Sequence, residues 1–350
     1  MNKIKAAVLG ATGTVGQRFI QLLDHHPFFE ITALAASEKS VGKKYGDIVQ
    51  WKLDTLIPDR LANMIIQPCE PSLDARVAFS GLDSYVAGEI ELAFASKGYA
   101  VVSNSKNYRM AEDVPLVYPE INADHLALID VQKKNRGFKD GFIVTNSNCS
   151  IMAFLNIIHV LDRDFGVDKM TAVTMQAISG AGYPGVASLD VLGNVVPFVG
   201  GEEEEKIRTE PLKILGKLNH HRIELSKIII SPSVNRVPVL DGHLAAVSVK
   251  LKNKTTVEDI KERLREFKSI PQELELPLAP KRPIIVHEAI NRPQPRLDIH
   301  LEKGMAVSVG RIRPCEVLDF KFTCLVHNTI RGAAGAAVLN AELLYAKKLL

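Results

Sequence analysis

The chain predicts an α/β protein, with an N-terminal Rossmann-like dinucleotide-binding domain and a C-terminal α+β domain built on a large mixed sheet. Three observations carry this. Short apolar strands alternate with helical stretches up to residue 144, a strand runs straight into the glycine turn GATGTVG at residues 10–16, and longer β-branched runs take over beyond residue 169. Alternation of the first kind makes parallel, doubly wound sheets, because each crossover is a helix, whereas the later pattern suits mixed or antiparallel pairing.

The first strand covers residues 5–9 (KAAVL), and an amphipathic helix follows the glycine turn over residues 15–25. Glycines let the backbone approach a pyrophosphate, whose charge is favoured at a helix N-terminus. Gly10, Thr12, Gly13, Thr14, Val15 and Gly16 are therefore the candidate cofactor-binding residues of this segment. The spacing is G-x-x-G-x-x-G rather than the commoner G-x-G-x-x-G, and by itself it also fits a structural turn. The second strand, residues 31–36, ends in Ser37-Glu38-Lys39-Ser40, with Lys43 and Lys44 close behind. A site for the bare 2′-hydroxyl of NAD usually carries a lone acid here. The hydroxyls and ammonium groups of Ser37, Lys39 and Ser40 suit a 2′-phosphate and favour NADP, while Glu38 and a plain solvated loop are the contrary readings. Further strands are expected at residues 64–68, 77–81, 100–103 and 141–144, with helices at 85–97 and 122–135.

Cys149 follows, in Thr145-Asn146-Ser147-Asn148-Cys149-Ser150, between the apolar run ending at Val144 and a helix expected over residues 151–161. At a strand-to-helix turn, free N–H groups and the helix dipole favour a thiolate below its usual pKa, which is where a nucleophile belongs. A free cysteine is also an ordinary small buried hydrophobe.

In the second half, strands are expected at residues 171–178, 244–251, 305–312 and 318–326, with helices at 203–218 and 257–267. A helix rich in small residues closes the chain at 331–350. Two stretches have the look of loops at sheet ends, where reactive groups tend to be displayed. One is the glycine-rich segment after Gln176, residues 177–185. The other, residues 235–243, carries Arg236 and His243; the imidazole titrates near neutrality, as a partner for a cysteine nucleophile should, although a surface histidine fits the same letters.

The composition narrows the classes. With 46% hydrophobic and 24% charged residues and a net charge of +3, nothing calls for nucleic acid or membrane as a partner. No apolar run approaches the roughly 20 residues of a membrane span, so a cytoplasmic protein is expected. Cys69, Cys149, Cys315 and Cys324 are scattered without C-x-x-C, which argues for reduced thiols and no metal site.

Taken in order, GATGTVG, SNSKNYR, TNSNCS, QAISGAGYPG, EEEEKI, NRVPVLDGH and HNTIRGAAGA resemble aspartate-semialdehyde dehydrogenases of the archaeal and fungal branch, over the whole chain. The resemblance implies NADPH-dependent reductive dephosphorylation of L-aspartyl 4-phosphate to L-aspartate 4-semialdehyde, on the route to lysine, methionine and threonine. It implies Cys149 as nucleophile, His243 as acid–base and Gln176 as the residue that positions the acyl group. Arg236 would clamp the substrate α-carboxylate; Glu203 and Lys206 would contact amine and phosphate, although the run 202–205 leaves the glutamate open by a residue. Arg109, behind Asn104 and Ser105, would belong to the phosphate site. Asn148 and backbone N–H groups beside Cys149 are candidate oxyanion donors. Ser179, Gly180 and Asn328 would touch the cofactor. Residues 1–148 with 328–350 would form the NADP domain, and 149–327 the catalytic and dimerisation domain of a homodimer or homotetramer. Ile151 stands where the family often has Thr. Malonyl-CoA reductase, N-acetylglutamyl-phosphate reductase and a non-enzymatic nucleotide-binding protein are the rival readings.

Overall fold

A computed structural model describes residues 3–200 and 202–350. Six strands make a wholly parallel sheet: β1 (Ile4–Leu9), β2 (Phe29–Ala36), β3 (Gln67–Pro68), β4 (Val77–Ser80), β5 (Ala100–Ser103) and β6 (Phe142–Thr145). The order β3-β2-β1-β4-β5-β6 reverses direction between β1 and β4, and the crevice outside the carboxyl ends of those strands is where such a sheet binds ligands. Every residue of β4, β5 and β6 is buried, as strands covered on both faces require.

The helix after β1 runs Thr14–Leu23 and buries Phe19, Ile20 and Leu23 against the sheet. Gly10 has φ +75, and a Cβ on Gly16 would lie 2.2 Å from the Gly10 carbonyl oxygen. Both positions need glycine: the first for its backbone, the second for close approach.

Some expected elements are shorter or broken. The third strand keeps only Gln67–Pro68. The expected 122–135 helix divides into Pro119–Asn122, a 3-10 turn Ala123–Ala127 and the α-helix Leu128–Arg136. The cause lies in Asn122, whose side chain accepts from Tyr118 N–H and donates to Leu116 O, competing with regular helix. The last helix begins as a π-helical turn, Ile330–Ala334, before the α-helix Gly335–Ala346. Its Ala337, Val338, Leu339 and Leu343 share the core of Phe19, Phe29 and Phe79, so the chain's end returns to the first sheet.

The second half contributes β7 (Val167–Gln176), β8 (Val196–Pro197), the hairpin β9 (Lys217–Asn219) and β10 (Arg222–Glu224), β11 (Ile229–Arg236), β12 (His243–Leu251), β13 (Ile284–His287), β14 (Val307–Pro314) and β15 (Phe320–Val326). Seven of them form a mixed sheet in the order β13-β14-β15-β12-β7-β11-β8, with the Leu155–Phe165 and Val257–Glu266 helices packed in its core. On the opposite face Val173 and Ile229 stay exposed.

β11 is absent from the sequence expectation, because Ser231-Pro232-Ser233 interrupts its apolar run. Its presence corrects the loop reading of residues 235–243. Arg236 ends β11 in register with Gln176 at the end of β7, and His243 opens the neighbouring β12. Three candidate residues thus come from adjacent strand ends, which hold side chains more firmly than loops do.

Candidate active site

A cleft of about 540 Å³ lies between the two sheets, lined by Cys149, Asn148, Gln176, Arg236, Glu203, Lys206 and Arg109 on one side and by Thr14, Val15, Asn328 and Gly332 on the other. Cys149 is half-buried at its base, with its Sγ 3.2 Å from His243 Nε2. His243 is buried behind it. A Cβ on Gly332, in the π-helical turn, would come within 2.9 Å of the Cys149 Cβ, so only glycine lets that turn close on the cysteine.

The segment after Cys149 departs from the expected strand-turn-helix. Residues Ile151–Ala153 form a 3-10 turn, Phe154 breaks it with φ -126, and the α-helix begins at Leu155. The helix dipole acts over about one turn and does not reach the sulfur. Burial, and then the Glu203 carboxylate, push the Cys149 thiol up to about 11, against the opposing pull of Arg109 and Arg236. The surroundings in the ligand-free site thus favour the thiol over the thiolate.

Glu203 organises the cleft floor. Its Oε1 accepts from Asn148 Nδ2 at 2.9 Å, Ser150 Oγ at 3.1 Å and Gln176 Nε2 at 3.2 Å, and its Oε2 pairs with Lys206 Nζ at 3.2 Å. Burial pushes this carboxyl up, but Lys206 and the donated hydrogen bonds outweigh it and hold the group below the usual range. The other three acids of the run 202–205 are paired elsewhere. Glu202 pairs with Lys106, Glu204 accepts from Val234 N–H, and Glu205 pairs with Arg208 at the surface. Only Glu203 among the four turns toward Cys149.

Two of the expected site groups already have partners within the protein. The Asn148 amide donates to both Glu203 oxygens, its backbone N–H donates to Glu210 Oε2 at 2.7 Å, and Ser150 N–H donates to Asn148 Oδ1 at 2.8 Å. An oxyanion would share these donors with the partners they already hold. Arg109 is likewise engaged, donating to Glu210 Oε1 at 3.0 Å and to Asn104 O at 2.6 Å. Its charge is already countered before any phosphate arrives.

Glu210, which the sequence pattern did not single out, ties the arginine to the cysteine loop. The signal was present: it lies two helical turns beyond Glu203, on the same face of the Glu203–Ile214 helix. Arg236 donates to Ala177 O at 2.5 Å, and Asn328 joins Ser179 Oγ to Gly242 N–H, at 2.8 Å each. These bonds clasp the glycine loop over the cleft.

The candidate nucleotide residues fall in two places. Thr14 and Val15 open onto the main cleft, at the start of a helix whose Gly13 N-cap makes no side-chain bond, so a phosphate has access to the first-turn amides. Thr12, Lys39, Ser40 and Lys43 line a second cavity of about 280 Å³. Ser37 is exposed beside that cavity's segment and does not line it. This donor set suits an anionic dinucleotide: bare amides for a pyrophosphate and paired ammonium groups for a further phosphate. Among the described residues no cluster of His, Cys, Asp and Glu is arranged to hold a metal ion, and no helix is long and apolar enough to cross a membrane.

Residues 5–129 match the NAD binding domain of semialdehyde dehydrogenases, and residues 160–331 match the semialdehyde dehydrogenase dimerisation domain. The chain is 49% identical to the aspartate-semialdehyde dehydrogenase of Archaeoglobus fulgidus, covering 99% of this chain and 100% of the relative. It belongs to the aspartate-semialdehyde dehydrogenase family. A fungal relative, from Schizosaccharomyces pombe, is 48% identical with 99% of each chain covered. The crystal structure of the Candida albicans aspartate-semialdehyde dehydrogenase with NADP superposes with a TM-score of 0.91 at 44% identity, covering 100% of both chains. The family membership makes the chain an oxidoreductase, and the two matched domains correspond to the parallel sheet and the mixed sheet described above.

Proposed function

We propose that the chain reduces L-aspartyl 4-phosphate to L-aspartate 4-semialdehyde through a thioester on Cys149, with NADPH as reductant and inorganic phosphate as the released product. The observation that carries this is the cleft itself. A sulfur 3.2 Å from an imidazole faces an arginine for a carboxylate and a Glu203–Lys206 pair for an amine and a phosphate, with the uncapped Thr14 helix start across the gap.

The reduced nicotinamide supplies a hydride. Arg236 offers a planar fork to the α-carboxylate, a geometry a lysine lacks. Gln176, beside Glu203 and in register with Arg236, orients the acyl group over the sulfur. Lys206 and Lys106 extend the positive lining at the phosphate end, and Arg109 acts there jointly with Glu210. Lys39, Ser40 and Lys43 would take the 2′-phosphate that distinguishes NADP. Residues 1–148 with 328–350 are taken as the nucleotide domain, and a homodimer or homotetramer as the assembly. A steady-state assay of semialdehyde oxidation tests the reading: the rate should require NADP and phosphate, accept arsenate, and ignore coenzyme A. Acceleration by coenzyme A with no phosphate requirement would favour the malonyl-CoA reductase reading instead.

A further inference from the structure

The face of the Glu203–Ile214 helix that carries Glu203, Lys206 and Glu210 continues three residues further to Lys213. This lysine is buried, at 3% exposure. Its Nζ donates to three backbone carbonyls, Arg109 O at 2.8 Å, Ala111 O at 2.7 Å and Val114 O at 2.7 Å. An ammonium group has three donors and no acceptor, so this one is spent in full on a single stretch of chain. Burying a charge is costly unless it is answered. Here the carbonyl dipoles answer it at contact, and Asp113, Glu210 and Glu112 at longer range, although burial still pushes Lys213 down to about 8.

The stretch that Lys213 gathers is the one that presents Arg109. Between Lys106 and Val114 the chain makes successive tight turns, with Arg109 N–H on Lys106 O, Ala111 N–H on Tyr108 O and Val114 N–H on Ala111 O. Short turns leave carbonyls without ladder partners, and buried carbonyls need them. Lys213 draws three together. The arginine is then held twice by one helix: Glu210 takes its guanidinium, and Lys213 takes its carbonyl.

We propose that Lys213 is a positioning residue for the phosphate end of the cleft, a tethered ammonium ion that folds the 109–114 segment around itself and so fixes where Arg109 stands. This rests on the reading of Arg109 as part of the phosphate site. Lys213 acts through Arg109 and not on the phosphate, because it lines a separate cavity of about 400 Å³, beside Met110, Arg222 and Leu225, rather than the main cleft. That cavity also gives a small solute a way to the ammonium position once the side chain is cut short.

Chemical rescue tests the proposal. Lys213→Ala should raise the KM for phosphate in semialdehyde oxidation by about tenfold or more, the order of one charge-assisted hydrogen bond, with the KM for NADP little changed. Added n-propylammonium, which replaces the atoms beyond Cβ, should bring the phosphate KM back toward the wild-type value. Tetramethylammonium, charged but without an N–H donor, should not. Equal rescue by both ions, or by neither, would overturn the proposal. Should the alanine variant fail to fold, Lys213→Met keeps an unbranched stem, removes the three donors and carries the test. A selective rise in its phosphate KM supports the positioning role, and equal rises for phosphate and NADP would contradict it. A wild-type enzyme that oxidises the semialdehyde without phosphate would sink the assigned reaction, whereas a phosphate-dependent wild type whose variants keep its phosphate KM would sink only the role of Lys213.

Discussion

At Cys149 the competing influences are burial and Glu203, which favour the thiol, and Arg109 and Arg236, which favour the thiolate; the thiol prevails. The alkylation rate of this one residue, followed by peptide mass spectrometry in the ligand-free protein, should therefore rise only above about pH 9, beyond the range of a free cysteine. An inflection near pH 7 would mean that the arginines win. Cys149→Ala should lower kcat by at least about a thousandfold, whereas alanine at Cys69 or Cys315 should leave it nearly unchanged, because neither lines the cleft. Glu210→Gln is a sharper test of the floor. It removes the charge that faces Arg109 and holds the Asn148 amide, and breaking such a buried pair costs about 3 kcal/mol or more. Both kcat and the KM for phosphate should suffer, along with stability. A change in the phosphate KM alone would leave Arg109 as a simple phosphate ligand.

At the level of elements, the glycine turn and the strand ends do most of the positioning. Gly16→Ala drives a Cβ to within 2.2 Å of a backbone oxygen, an overpacking that costs about 1–3 kcal/mol, and it should weaken dinucleotide binding and lower Tm together. Lys39→Ala with Lys43→Ala should lower kcat/KM for NADP about tenfold or more while leaving that for NAD little changed, since charge-assisted contacts to a 2′-phosphate are lost. Equal effects on both cofactors would place the 2′-phosphate elsewhere. The glycine turn, the parallel alternation and the cysteine segment were readable in sequence because each is a local pattern set by backbone requirements. The start of the helix after Cys149 was not. Its break at Phe154 follows from tertiary packing, where Ile151, Met152 and Phe154 are all buried in the mixed-sheet core. β11 was hidden by its serines and proline, and the Glu210–Asn148 and Gly332–Cys149 approaches join residues far apart in the chain, which no local period can signal.

Across the whole molecule, burial works against the charged form of several histidines. Burial pushes His159 and His327 down to about 4 and His243 to about 3, whereas an unfolded histidine titrates near 6.5. Between those values the unfolded chain binds more protons, so stability rises with pH and is lost as pH falls below about 6.5. Glu91, pushed up to about 7 by burial despite hydrogen bonds from Ser80 and Ser103, acts in the opposite sense over part of that window, and Glu342 follows it in direction. Three histidines outweigh them. Calorimetry should show Tm falling by about 5 °C between pH 7 and 5, and a flat profile would mean that these rings are protonated when folded. The central claim is the Cys149 thioester, and one measurement tests it most directly. Incubation with L-aspartate 4-semialdehyde and NADP in the absence of phosphate, followed by acid quench and peptide mass spectrometry, should reveal an aspartyl adduct on the Cys149 peptide that disappears when phosphate is added. An adduct on another residue, or none while the cofactor is reduced, would contradict the thioester mechanism.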